Sequence, residues 1–189
     1  ISMLRLGAEV FGAVRGEDWV LVKGQPRRRM PGAFEFRRGY QYLGDSGGQG
    51  LGYGPGAALG AALAVSQRGQ LPVALMGDGD FAMGTGALWT AAHYQIPLLL
   101  VIYNNRSYYT DEAQLERMAH DRGRPEGNQG IGIRLEEPTI DFAALARVHG
   151  LHGEGPITHP DELRPALQRA LSAVKEGRLA LVDVWTQNR

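Results

Sequence analysis

The chain has 189 residues and a formal net charge of zero, from 20 Lys and Arg against 20 Asp and Glu. This balance gives no electrostatic reason to bind nucleic acid or a membrane surface. The chain has no cysteine, which excludes disulfides, thiolate catalysis and Cys-ligated zinc, and no apolar run approaches the roughly 20 residues of a membrane span. We therefore expect one cytoplasmic domain over residues 1–189, large enough to have its own core.

In chain order, the apolar pattern predicts alternating helices and strands. The first helical pattern opens directly at Ile1, without a Met, which suggests the C-terminal part of a longer, multidomain chain. Because strands alternate with helices throughout, we predict a doubly wound α/β fold, whose mainly parallel sheet has helices on both faces. We predict helices at 1–15, within 48–69, between 79 and 95, and at 110–119, 141–149 and 160–176, and strands at 19–23, 72–76, 98–103, 151–157 and 179–185.

The long segment 24–50 shows no clear periodicity. Loops of this length in compact domains are usually functional or disordered, and several aromatic residues argue against disorder here. A short basic cluster at 27–29 lies in this segment. We interpret it as part of a solvated loop, because it is too short for a convincing nucleic-acid patch.

Two polar motifs directly follow the strands at 72–76 and 98–103. Gly77-Asp78-Gly79 leaves the first strand and Asn104-Asn105 leaves the second. Parallel strands bring both motifs to one edge of the sheet, where open α/β sheets bind ligands. One carboxylate and one carboxamide oxygen suit Mg²⁺, whose other positions are filled by water and ligand phosphates. The N-terminus of the following helix would favour the same phosphates.

A purely structural interpretation exists for each motif by itself. The first motif could be only a tight turn, and the second only the turn that ends a strand. The pair at this spacing, with each member directly after an apolar strand, is more specific than either alone.

These motifs resemble the diphosphate-binding motif of thiamine-diphosphate-dependent enzymes. The stretch 87–105, ALWTAAHYQIPLLLVIYNN, is similar to the branch that contains benzoylformate decarboxylase and acetohydroxyacid synthase. The resemblance extends back through GQGLGYGPGAALGAALA and loosely covers most of the chain. It implies the fold of the diphosphate-binding domain of these enzymes, with thiamine diphosphate and Mg²⁺ as cofactors.

The resemblance also assigns residues to the site. It implies that Asp78, the Asn105 side chain and the Ser107 backbone carbonyl bind Mg²⁺, which clamps the cofactor diphosphate. An acid at position 80 does not suit direct contact with phosphate, because like charges repel. The other implied cofactor-binding residues near the diphosphate, or closing over the cofactor, are Gly77, Gly79, Asp80 and Tyr108.

The glycine-rich turn before the second helix could bind a dinucleotide, bind the cofactor of the resembled family or be purely structural. It is not a dinucleotide fingerprint, because the GxGxxG spacing is not met and no strand feeds directly into it. In the resembled family this turn cradles the aminopyrimidine. Leu51 would then lie under the thiazolium ring, and the carbonyl near Gln49 would accept from the pyrimidine amino group. Alternatively, Leu51 is an ordinary core residue.

The resemblance implies one component that the chain lacks. The family activates its cofactor with a glutamate from an amino-terminal pyrimidine-binding domain. Glu9, Glu17 and Glu35 lack the right sequence surroundings for this role, so the catalytic residue is unknown here. We expect that domain on another chain or on a missing part of the same one, within a homo-oligomer (dimer or tetramer).

Three functions remain open from the sequence. The first is a diphosphate- and Mg-binding module of an enzyme that decarboxylates a small 2-oxo acid or transfers the resulting carbanion, as a lyase or an acetolactate-synthase-like carboligase. The second is a non-catalytic or regulatory module of the same fold. The third is an α/β domain for another phosphate ligand. The two motifs together with the glycine-rich turn favour the first.

Overall fold

The computed structural model describes residues 1–44, 50–125 and 127–187. Its sheet has five strands, all parallel, in the order β1-β2-β3-β5-β4. The strands are β1 (Trp19–Lys23), β2 (Leu71–Gly77), β3 (Leu98–Asn104), β4 (His152–Ile157) and β5 (Leu179–Trp185). The helices are α1 (Met3–Val14), α2 (Pro26–Arg29), α3 (Tyr53–Ser66), α4 (Asp78–Ala82), α5 (Ala87–His93), α6 (Tyr109–Asp121), α7 (Phe142–Val148) and α8 (Pro160–Lys175).

Helices cover both faces of the sheet, which confirms the predicted fold class. Helices α1 and α8 pack on one face, and α3, α5 and α7 on the other. Strand β3 shows the alternation clearly: Leu99 and Val101 face the first layer, whereas Leu98, Leu100 and Ile102 face the second. Because every central residue is buried on one face or the other, the strands read as continuous apolar runs.

The predicted crossover helix between β2 and β3 is instead two short helices. Helix α4 spans Asp78–Ala82, and α5 spans Ala87–His93. The break falls on Gly84, Thr85 and Gly86, which are weak helix formers. The predicted helical position Gln95 lies beyond α5 and has a positive φ of 50°.

Two other local predictions are wrong. Segment 24–50 contains α2 and a short 3-10 helix at Gly39–Gln41, so the basic cluster at 27–29 lies in a short helix and not in a loop. The predicted side-chain cap of α6 by Thr110 or Asp111 is absent from the described structure. Helix α6 begins one residue earlier, and the Tyr108 carbonyl accepts from the backbone N–H of Asp111 and Glu112.

The register of the central strands sets the position of the site. Gly77 of β2 pairs with Tyr103 of β3, and Asn104 of β3 pairs with Trp185 of β5. The chain segments that leave these three strands therefore start side by side at the carboxyl edge. In the described part of the chain, no helix has the length and apolar character needed to cross a membrane.

Candidate functional site

A cavity of about 540 Å³ opens at the carboxyl edge of β2 and β3. Asp78 and Asn105 both line it, as the sequence predicts. The other predicted residues within the described chain line the same cavity: Leu51, Gly77, Gly79, Asp80, Ser107 and Tyr108. Gln49 lies outside the described residues.

Asp78 is a buried carboxylate, only 3% exposed. Burial raises its pKa to about 6, although nearby backbone N–H groups, including those of Gly79 and Arg106, act in the opposite direction. Its Oδ2 atom is buried and has no hydrogen-bond partner among the described residues. A buried anionic oxygen without a partner is costly. A bound cation would supply the missing partner.

The loop after β3 is held by two asparagine side chains. Asn104 Oδ1 accepts from the Arg106 backbone N–H, and Asn105 Oδ1 accepts from the Ser107 backbone N–H, both at 3.1 Å. Such Asx turns fix a tight loop without a regular hydrogen-bond ladder, and Arg106 has a positive φ of 58°. The amide oxygen of Asn105 has a second lone pair that can serve as a ligand.

Ser107 is anchored by its hydroxyl and by its backbone. Its hydroxyl donates to Glu112 Oε2 at 2.6 Å, and Glu112 in turn accepts from Arg134. Ser107 also forms an isolated β-bridge with Arg134. The backbone N–H groups of the neighbouring residues Tyr108 and Leu135 donate the hydrogen bonds of this bridge. Those hydrogen bonds do not use the Ser107 carbonyl, which is the atom that the resemblance assigns to Mg²⁺.

A second buried acid, Asp183 on β5, lies behind the loop. It is fully buried, and its Oδ1 accepts from Asn104 Nδ2 at 3.1 Å. Burial raises its pKa to about 7. The sequence analysis missed this residue, yet a single acid inside the apolar run LALVDVW was a usable signal. Asp183 supports the first asparagine, and so the loop that carries the second.

Gly79 is required by close packing. A Cβ atom at this position would lie 2.4 Å from Tyr108 Cε1, so any larger residue would force the tyrosine ring to shift. Burial and the charge of Asp78 raise the pKa of the Tyr108 hydroxyl. Tyr108 thus joins the turn after β2 to the loop after β3.

The two predicted residues nearest the glycine-rich turn behave differently. Leu51 is 50% exposed and lines the cavity, so its interpretation as an ordinary core residue is wrong. Asp80 also lines the cavity, but its Oδ1 accepts from the backbone N–H of Gly52 at 2.7 Å and of Gly54 at 3.4 Å.

Positive side chains line another part of the cavity, and the sequence analysis did not place them there. Lys23, Arg28 and Arg29 contribute to the lining. Arg29 also donates to Thr110 Oγ1 at 3.3 Å, which links α2 to α6. The cavity therefore combines a carboxylate that suits a cation with cations that suit an anionic ligand.

This arrangement belongs to the class of α/β domains that bind a ligand at the carboxyl ends of parallel strands. Residues 24–184 match the family model of the thiamine pyrophosphate enzyme, C-terminal TPP binding domain. Thiamine pyrophosphate is another name for thiamine diphosphate, and the chain belongs to this family. The predicted recognition is confirmed.

Individual relatives agree with the family match. Over 138 residues the chain is 37% identical to benzoylformate decarboxylase of Pseudomonas aeruginosa, covering 73% of this chain and 23% of that one. Over 141 residues it is 36% identical to the acetolactate synthase isozyme 3 large subunit of Escherichia coli, covering 74% and 23%. The chain thus spans about a quarter of the length of these relatives.

A solved structure supports the same assignment. The thiamine diphosphate-dependent 4-hydroxybenzoylformate decarboxylase of Rhodococcus jostii RHA1 superposes with a TM-score of 0.73 and 26% identity. The match covers 97% of this chain and 33% of that one. Nearly the whole chain therefore corresponds to one part of a longer enzyme.

Proposed function

We propose that this chain is the diphosphate- and Mg²⁺-binding module of a thiamine-diphosphate-dependent enzyme that decarboxylates a small 2-oxo acid. The enzyme would act as a lyase or as an acetolactate-synthase-like carboligase. The observation that carries the proposal is the buried Oδ2 of Asp78, which has no hydrogen-bond partner in the described part of the chain and lies beside the Asn105 loop within the family-matched range.

The donor set suits Mg²⁺. One carboxylate, one amide oxygen and one backbone carbonyl, from Asp78, Asn105 and Ser107, are hard oxygen ligands that leave room for phosphate and water. When bound, thiamine diphosphate supplies the carbonyl chemistry of the reaction. The residues of this chain bind the diphosphate, hold the metal ligands in place and orient the ring.

We further propose that the activating glutamate belongs to a pyrimidine-binding domain outside this chain, in a dimer or tetramer. Glu9 pairs with Arg5 and Arg164, Glu17 pairs with Lys175, and Glu35 pairs with Arg37. These three glutamates are not among the residues that line the cavity in the described structure. By itself, the chain would then bind the cofactor weakly and not turn over, so robust decarboxylation by the purified chain would contradict this proposal.

A melting experiment tests the metal-diphosphate site. Ligand at 100 times its dissociation constant should stabilise the chain by about 2.7 kcal/mol. We expect Mg²⁺ with thiamine diphosphate to raise Tm, and both EDTA and Asp78→Ala to abolish the shift. Asp111→Ala is the matched control, because Asp111 also lines the cavity but is outside the proposed ligand set. Each variant is compared with its own ligand-free melt.

The alternatives give different outcomes in the same plate. A larger shift with ATP or NAD, retained in Asn105→Ala, would favour a domain for another phosphate ligand. A normal cofactor shift without turnover after the pyrimidine-binding domain is supplied would favour a non-catalytic module.

A further inference from the structure

Helix α3 begins without a capping side chain of its own. Its N-cap residue is Gly52, which has a φ of 84° and makes no side-chain capping hydrogen bond. The first four N–H groups of an α-helix have no partner within the helix. They need an acceptor from elsewhere, and a negative charge there is favourable.

Asp80, which lies 28 residues further along the chain, supplies that acceptor. Its Oδ1 accepts a hydrogen bond from Gly52 at 2.7 Å and a longer one from Gly54 at 3.4 Å. Asp80 belongs to α4, two residues after Asp78. A side chain in the metal-side turn therefore caps the helix that follows the glycine-rich turn.

The contact is tightly packed as well as hydrogen-bonded. A Cβ atom at position 54 would lie 2.2 Å from Asp80 Oδ2 and 3.0 Å from Lys23 Cε. A Cβ at position 52 would lie 3.3 Å from Met83 Cβ. The two glycines thus let the turn approach α4 closely, so that the Asp80 carboxylate reaches the N–H groups at the start of α3.

We propose that Asp80 is a positioning residue, which fixes the turn carrying Leu51 relative to Asp78. This inference rests on the proposed function. Asp78 would hold the diphosphate end of the ligand, and Leu51 would contact its ring. Asp80 sets the separation of these two contacts, so it affects ligands that span both ends and does not bind phosphate itself.

The test compares two ligands by titration calorimetry on the full chain: Mg²⁺ with thiamine diphosphate, and Mg²⁺ with inorganic pyrophosphate. Asp80→Ala should weaken thiamine diphosphate binding about tenfold, the order expected for a lost cap, and leave pyrophosphate affinity within about twofold. Asp80→Asn should restore most of the loss, because its amide oxygen still accepts from Gly52. Equal changes for both ligands, or no change for either, would overturn the proposal.

Gly54→Ala provides an independent variant of the same contact. Its Cβ should displace the Asp80 carboxylate without removing a charge, so it should reproduce the selective loss of thiamine diphosphate affinity. The double variant of Gly54→Ala and Asp80→Ala should bind thiamine diphosphate no more weakly than the weaker of the two single variants. Additive losses would mean that the two residues act separately. Asp111→Ala removes a charge from the same cavity and should show no selective loss.

Hydrogen exchange separates this inference from the proposed function. In the ligand-free chain, the Gly52 amide should lose protection in Asp80→Ala and keep it in Asp80→Asn. Unchanged protection in Asp80→Ala would refute the cap, whatever the chain binds. If the wild-type chain binds neither ligand, the cofactor proposal fails and the role of Asp80 in ligand binding fails with it. A selective loss in Asp80→Ala supports both.

Discussion

The floor of the cavity and the outer face of α3 differ in how far their side chains find partners within this chain. By the floor we mean the lining residues Asp78, Gly79 and Ser107 together with Asn104, Glu112 and Asp183, which lie behind the lining. Most of its buried polar groups bond to one another, such as Asn104 to Asp183 and Ser107 to Glu112. The outer face of α3 exposes Tyr53 and Leu63, and the helix sequence YGPGAALGAALAVS contains no charged residue. A helix that is apolar all round is normally buried. Most floor groups thus find partners within the chain, and Asp78 Oδ2 and Asp183 Oδ2 are the carboxylate exceptions among the described residues. The outer face of α3, in contrast, is apolar and exposed.

Glycines show the same difference. At the floor, Gly79 has no room for a Cβ atom because Tyr108 packs against it. On α3, a Cβ at Gly56 or Gly60 would meet nothing within 4 Å among the described residues. The fold explains the first kind of glycine. For the second kind we predict a partner that approaches α3 closely, such as the proposed pyrimidine-binding domain or a second copy.

The largest expected effect concerns Asp183, one of the buried acids of the floor. The folded-state pKa of Asp183 is about 7, above the ordinary value of 3.8, so the folded chain holds more protons between these values. Stability should therefore fall as pH rises from about 4 to about 7. Asp183→Asn removes this penalty, and urea unfolding at pH 8 should show it more stable than wild type by at most about 4 kcal/mol.

This gain should shrink to near zero at pH 4, where the wild-type carboxyl is also neutral. Asp121→Asn, at the exposed end of α6, serves as the control and should change stability at pH 8 by less than about 0.5 kcal/mol. An Asp183→Asn profile as steep as that of wild type would show that the floor does not carry this penalty.

The second expected effect is the loss of the Ser107 anchor. Glu112→Ala leaves the buried Ser107 hydroxyl and the Arg134 guanidinium without their shared partner, which should destabilise the chain by about 2–3 kcal/mol. The exposed Glu116 on the same helix provides the control, since Glu116→Ala should change stability by less than about 0.5 kcal/mol. Chemical denaturation of both variants measures the difference.

The separation of interacting residues along the chain explains which parts of the site the sequence could predict. Asp78 and Asn105 follow apolar strands directly, so local pattern and parallel topology were sufficient to bring them together. Asn104 meets Asp183 across 79 residues, and Gly52 meets Asp80 across 28. No periodicity encodes such pairs, because they depend on strand order and on the packing of separate turns.

The same reasoning applies to the fold. The long strands were predictable because burial on both faces makes them continuous apolar runs. The break between α4 and α5 was missed, although glycines at 84 and 86 lower helix propensity. The position of Arg28 and Arg29 beside the cavity was also missed, because charge alone does not distinguish a solvated loop from a cavity wall.

The third expected effect tests the tight glycine of the floor. Gly79→Ala places a Cβ atom against the Tyr108 ring, and overpacking of this kind costs about 1–3 kcal/mol. We expect a lower Tm for Gly79→Ala. Adding Tyr108→Ala removes the clash, so the double variant should lose less than the sum of the two single variants. Strict additivity in the melting data would mean that the ring does not constrain position 79.

The smallest effect has the opposite sign and tests the outer face. Gly60→Ala adds a methyl group to open space inside a helix, so the isolated chain should become more stable by about 0.5–1 kcal/mol. The same methyl group would obstruct a surface that packs closely on α3, so association should weaken in sedimentation measurements with the pyrimidine-binding domain present. Val148→Ala, at a position 80% exposed on α7, serves as the association control. Stabilisation with unchanged association would place the partner elsewhere, because a close contact at position 60 cannot accept added volume without adjustment.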